Sequence, residues 1–162
     1  MSPALKTAIG QPVGLLLADA LYSVFNALQH SVNGLLAELN LTESLADALW
    51  QLDPASGPLS RRMLAERLHC DPSNVTFLVD RLEERGLAQR VENPHDRRVK
   101  GVSLTAAGIV TRDRLLSAAA DSPLFAGLSP DQQQQLIDLL SQCLQTAAEA
   151  PAARRATTAA SP

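Results

Sequence analysis

The strongest constraint on this 162-residue chain lies between Leu64 and Gly108, which reads LAERLHCDPSNVTFLVDRLEERGLAQRVENPHDRRVKGVSLTAAG. Ser60 precedes the run from Arg61 to Leu68 and can cap the free amides of a first helical turn, while Pro58 blocks helix upstream. Met63, Leu64 and Leu68 give that helix an apolar face. Asp71-Pro72 then places a favoured N-cap before a proline suited to the first helical position. Val75, Leu78, Val79 and Leu82 recur at three- and four-residue intervals and predict docking of the second helix on the first. Gly86 stands where a left-handed residue ends such a helix.

Two short β-type runs follow, Leu87–Val91 and Val99–Leu104, around the charged loop Glu92-Asn93-Pro94-His95-Asp96-Arg97-Arg98. Helix, tight turn, helix and basic hairpin in this order predict a winged helix-turn-helix, in which the second helix enters a DNA major groove. Ser73, Asn74, Thr76, Phe77 and Arg81 remain for its outer face. Hydroxyls and amides bond base edges, and an aromatic ring covers a thymine methyl. Arg97, Arg98 and Lys100 at the hairpin are the expected wing contacts.

The stretches LAERL, DPSNVTFLVDRLEERGL, NPHDRR and VSLTAAG together resemble the multiple-antibiotic-resistance regulator (MarR) family of bacterial transcription factors. The resemblance covers roughly residues 12 to 146. It implies a mainly α fold with a small β-hairpin wing, a winged helix-turn-helix on a helical dimerisation base. It also implies a recognition helix from Pro72 to Arg85. Asp96 and Arg98 match the family's wing Asp-x-Arg pair, with the arginine in the minor groove and the aspartate bracing the wing. Asp96 is expected to pair with Arg81, and Asp71 with Arg98, although exposed ion pairs contribute only about 0–1 kcal/mol. The chain departs from the pattern at Phe77, where many members carry arginine, so this position is read as apolar or stacking.

The flanks are rich in apolar helical positions. Pro12 to Asn40 carries Leu15, Leu16, Leu21, Tyr22, Phe25, Leu28, Val32, Leu35, Leu36 and Leu39, too many for a helix mostly in water. Thr42 caps a short helix through Trp50, Thr105 caps another to about Ala120, and Ser129-Pro130-Asp131 restarts the last. The expected division is therefore dimerisation helices at 12–40 and 121–146, the winged module at 42–104 and a linking helix at 105–120. Ala147 to Pro162 has no period and reads as a disordered tail, and residues 1–10 as loose. More apolar surface than a small winged domain can cover predicts a two-fold dimer.

Charge and cysteine usage narrow the partners. The net charge is −3, but Ser60–Lys100 holds nine Lys/Arg against seven Asp/Glu. A mildly basic module on an acidic body favours localised contact with a palindromic DNA site over general coating. Cys70 and Cys143, far apart in the chain, suggest a reducing compartment, and the lack of a spanning or signal segment predicts the cytoplasm. His30, His69 and His95 have no partner at metal or triad spacing, so neither a catalytic residue nor a metal nor a cofactor is expected. Tyr22, Phe25, His30 and Trp50 are the candidates for a pocket for a small aromatic or phenolic ligand, of the kind that releases repressors of the family. The rival function is a dimeric protein-interaction scaffold that has lost DNA binding.

Overall fold

A computed structural model describes residues 12–93 and 96–159, with side chains described outside 93–99 and 148–159. The described chain forms six α-helices, a short 3-10 turn and a three-stranded antiparallel sheet. It divides into one compact unit ending at Ser122 and a second beginning at Pro123.

In the first unit, α1 spans Val13–Glu38, α2 Glu43–Gln51, α3 Arg61–Leu68, α4 Pro72–Glu84 and α5 Ala106–Ala120. The starts follow the caps expected from sequence. Thr42, Ser60 and Thr105 each accept a hydrogen bond from the third residue of their helix, Leu45, Met63 and Gly108. Asp71 flanks α4 without a side-chain cap bond, and Pro72 opens the helix with φ already suited to it. Three helices end on a left-handed residue, Asn40 after α1, His69 after α3 and Gly86 after α4. In each the next N–H reaches back to a carbonyl five residues earlier, as Leu87 does to Leu82 at 2.9 Å.

The core joins α2, α3, α4, the sheet and α5. Leu49, Leu64, Val75, Val79, Leu82 and Val102 are its largest fully enclosed side chains. On α4 the buried residues are Val75, Leu78, Val79 and Leu82, the stripe read from the sequence. On α3 the stripe runs through Leu64 and Ala65, whereas Met63 is 45% exposed. One residue is 100° of helix, so Met63 turns off the face that Leu64 buries. Val32, Leu35 and Leu39 of α1 pack against the core beside buried Leu36, but its earlier apolar residues stay outside.

The hairpin pairs β2, Ala88–Asn93, with β3, Asp96–Leu104, and a register shift falls between Glu92 and Asn93. A third strand was not expected: β1, Leu59–Ser60, pairs with β3 through Leu59↔Val102 and Ser60↔Gly101. Two residues give no periodicity, so this strand is silent in the sequence, and Ser60 serves it while also capping α3. At the foot of the hairpin Leu87 O accepts from Thr105 N–H at 3.1 Å. A Cβ on Gly108 would come within 1.8 Å of that oxygen, so only glycine lets α5 approach this closely.

In the second unit, α6 spans Pro130–Ala159. Ser129 and Gln132 cap it reciprocally, the backbone N–H of Gln132 donating to Ser129 Oγ and that of Ser129 to Gln132 Oε1. Its backbone runs through residues 147–159, a stretch that composition alone reads as an aperiodic tail; the alanines there favour helix in spite of Pro151. Leu136, Ile137, Leu139, Leu140 and Leu144 of this helix are exposed in the single chain.

Candidate nucleic-acid interface

The buried stripe of α4 fixes what its other side can present. Ser73 and Asn74 lie exposed at its first turn, Phe77 is 55% exposed one turn on, and Arg81 is exposed beyond it. Phe77 and Arg81 act together, because the guanidinium carbon of Arg81 sits 5.3 Å from the ring centroid. Arg81 also pairs with Glu84 at 2.9 Å, so it is fixed along the helix instead of trailing in solvent. Thr76 differs from its neighbours: it is half-buried, and its hydroxyl donates to Pro72 O and accepts from Arg61 Nη1.

Asp80 and Glu83 of α4 face the wing and are neutralised there. Arg90 on β2 pairs through its guanidinium with Glu83 and Asp80, and its backbone N–H donates to Glu83 Oε1 at 2.8 Å. Asp80 and Glu83 fall within the stretch DPSNVTFLVDRLEERGL, but Arg90 carries no motif signal, and the acidic pair finds its cation on another element. Arg85, just past the helix, donates to the Asn40 carbonyl and ties α4 to the end of α1.

Lys100 is exposed on β3, and Asp71 is exposed beside the open first turn of α4. Asp96, Arg97 and Arg98 open β3 by their backbone, but their side chains lie outside the described residues, and so do the pairings expected for Asp96 and Arg98.

Of the four residues expected to form a ligand pocket, one lines a cleft. Trp50, 44% exposed, joins Leu28, Val32, Glu43, Asp47 and Leu115 among the walls of a small cleft between α1, α2 and α5. Partial burial, and after it the nearby Glu43 carboxylate, raises the Asp47 pKa above its ordinary 3.8. Tyr22 and Phe25 stand 67% and 58% exposed on α1, away from those walls. His30 is exposed as well, and its Nδ1 lies 2.8 Å from Asn26 O one turn back. The C-terminal end of α2 beside Trp50 holds two arginines. Arg67 of α3 donates to Gln51 O at 3.0 Å, and Arg112 of α5 to Trp50 O at 3.4 Å.

Among the described residues, no group of three or more His, Cys, Asp or Glu side chains is placed to hold a metal ion. No helix among them is long and apolar enough to cross a membrane.

A short sheet with a β-hairpin wing, set behind a helix-turn-helix with an exposed second helix, defines the winged helix-turn-helix class. Residues 41–100 match the pattern of the MarR family. It is 35% identical over 97 residues to the uncharacterized HTH-type transcriptional regulator YkoM of Bacillus subtilis, covering 59% of this chain and 63% of that one. It is 41% identical over 61 residues to the HTH-type transcriptional repressor MdtR of the same organism, covering 38% and 39%. The chain thus spans less than two thirds of the length of these curated relatives. Among solved structures, CouR from Rhodococcus jostii RHA1 bound to p-coumaroyl-CoA matches with a TM-score of 0.66 and 28% identity, over 88% of this chain and 95% of that one. The reduced form of MarR from E. coli, 24% identical, shares the fold with a TM-score of 0.64 over 83% and 97%. The matched relatives are named as transcriptional regulators, not as enzymes.

Proposed function

We propose that this chain is a dimeric, sequence-specific DNA-binding transcriptional regulator that works as a repressor and is released by a small ligand. The observation that carries the reading is the outer face of α4. It presents Ser73, Asn74, Phe77 and Arg81 outward, while Arg90 compensates Asp80 and Glu83 behind them. Short polar groups, an aromatic ring and a guanidinium at helical spacing suit base edges, thymine methyls and phosphates. Arg97, Arg98 and Lys100 would supply the wing contacts, with Asp71 and Asp96 as braces.

Two copies would place their α4 helices about one DNA turn, ~34–36 Å, apart on a palindrome. The exposed leucines of α6 and the uncovered apolar half of α1 are the surfaces proposed to join them. A ligand that changes the angle between winged module and helical base would break that spacing. Its proposed site is the α1–α2–α5 cleft beside Trp50, in place of the more open surface at Tyr22, Phe25 and His30. The matched CouR structure holds p-coumaroyl-CoA, and a small aromatic or phenolic molecule remains the proposed class here.

The test is a gel-shift with the DNA upstream of the chain's own gene at several salt concentrations. Binding that falls steeply as salt rises supports the reading, because released counterions make phosphate contact salt-dependent. A dimer that binds no promoter DNA would replace it with the protein-interaction scaffold.

A further inference from the structure

The hydroxyl of Thr76 is engaged by protein partners, whereas Ser73, Asn74 and Phe77 on α4 face outward. Its proton goes to Pro72 O at 3.1 Å, and one lone pair accepts from Arg61 Nη1 at 3.3 Å. A hydroxyl has one proton and two lone pairs, so little is left for a base edge, and the side chain is half-buried besides.

Its partner Arg61 lacks a carboxylate among the described residues, as do Arg67 and Arg85, but those two bond backbone carbonyls whereas Arg61 bonds a side-chain hydroxyl. Arg62 pairs with Glu66, Arg81 with Glu84, Arg90 with Asp80 and Glu83, Arg112 with Asp53 and Arg114 with Glu38. Arg61 has no carboxylate partner among the described residues, and its bond to Thr76 is to a neutral oxygen. It is exposed at the first position of α3, and that bond holds it against α4 at Thr76. It therefore keeps its full charge and most of its five N–H donors, aimed from α3 beside the face that α4 presents. In a helix-turn-helix the first helix crosses the DNA backbone where the second enters the groove.

We propose that Arg61 is a DNA-phosphate anchor, and that Thr76 is its positioning residue instead of a reader of bases. The inference rests on the DNA-binding reading above and goes beyond it, moving Thr76 out of the base-reading set and adding a cation from α3. Thr76 fixes where the guanidinium sits, so that contacting a phosphate costs less side-chain ordering.

The experiment first selects a site for the wild-type protein from a pool of randomised duplexes. It then titrates that duplex with wild type, Arg61→Ala, Arg61→Gln, Thr76→Val and the double variant Arg61→Ala/Thr76→Val across a salt series, with thermal melts alongside. Failure of the wild type to select any duplex defeats the DNA-binding reading itself. With a site in hand, Arg61→Ala should flatten the slope of log affinity against log salt by about 1.8, the loss of one phosphate contact from each half of the dimer, and leave the selected motif unchanged. Arg61→Gln, which keeps an N–H for Thr76 but no charge, should flatten it equally and carries the test if Arg61→Ala melts early. Thr76→Val should select the wild-type motif with affinity a few-fold lower, and adding Arg61→Ala to it should cost less than Arg61→Ala costs alone. An unchanged salt slope in a folded Arg61 variant, or a changed motif in Thr76→Val, overturns the proposal.

Discussion

Arg90 on β2 gives Glu83 on α4 both its backbone N–H and its guanidinium, so one carboxylate holds the wing's first strand by main chain and side chain together. Both side chains are largely shielded, at 29% and 28% exposure, which sets the pair apart from the open surface pairs of this chain. Hydrogen bonds to charged groups of this kind contribute about 1.5–3 kcal/mol. Glu83→Ala leaves the Arg90 N–H and guanidinium without this acceptor, and a loss of about 1–2 kcal/mol is expected in urea unfolding after discount for partial exposure. A loss below about 0.5 kcal/mol, the level of an ordinary surface pair, would show that the wing is held elsewhere.

Gly108 is where α5 meets the start of the hairpin. Gly108→Ala puts a methyl 1.8 Å from the Leu87 carbonyl oxygen, and backbone on both sides leaves no flexible group to give way. Destabilisation of at least about 2 kcal/mol is expected, although alanine is the better helix former. A thermal melt at or above that of wild type would contradict the close approach.

Phe77 and Arg81 should have separable effects on DNA. Phe77→Arg exchanges a ring suited to a thymine methyl for a group that favours the guanine edge, so the base preferred at one position of each half-site should change. Arg81→Ala should weaken all sequences about equally, since its guanidinium is held between Phe77 and Glu84. Binding selections from randomised half-sites report both, and an unchanged motif for Phe77→Arg would remove this ring from base contact.

Leu136, Leu140 and Leu144 follow one another at four-residue spacing on α6 and are exposed in the single chain. Leu140→Lys should yield monomers by light scattering, because a lysine buried without a partner is strongly disfavoured. A stable dimer carrying this change would place the interface on other surfaces.

Asp47 gives a pH signature. Its pKa is raised in the folded state, chiefly by partial burial, so folding favours the protonated acid. The stability it lends is present below the ordinary carboxylate value of 3.8 and is lost as pH rises through the raised folded value. Asp47→Asn should therefore melt above wild type at pH 7, with the difference shrinking as pH falls through the raised folded value towards 3.8. A difference that stays constant with pH would mean that the carboxylate is as well accommodated folded as unfolded.

What could be read from the sequence follows its regularities. The caps at Thr42, Ser60 and Thr105, the stripe Val75–Leu78–Val79–Leu82 and the left-handed Gly86 are local signals, and each has its counterpart in the structure. β1 was hidden because two residues have no period, and Asn40 and His69 because left-handed helix ends are usually marked by glycine. The Arg90–Glu83 and Arg61–Thr76 contacts join residues 7 and 15 positions apart on different elements, and no spacing rule reaches across such a turn. The aromatic residues of α1 show a related limit of spacing: it marks a face but not what covers it, and Tyr22 and Phe25 are not among the walls of the cleft that Trp50 lines.

The seat of Gly108 under the Leu87 carbonyl has a mechanical side. Leu87 leads into β2, Thr105 leaves β3, and the Thr105 hydroxyl also donates to Gly86 O at 2.6 Å, so both strands and the end of α4 are clamped to the first turn of α5. Any rotation of α5 must carry the hairpin with it as one lever, with the joint at its foot too tightly packed to bend.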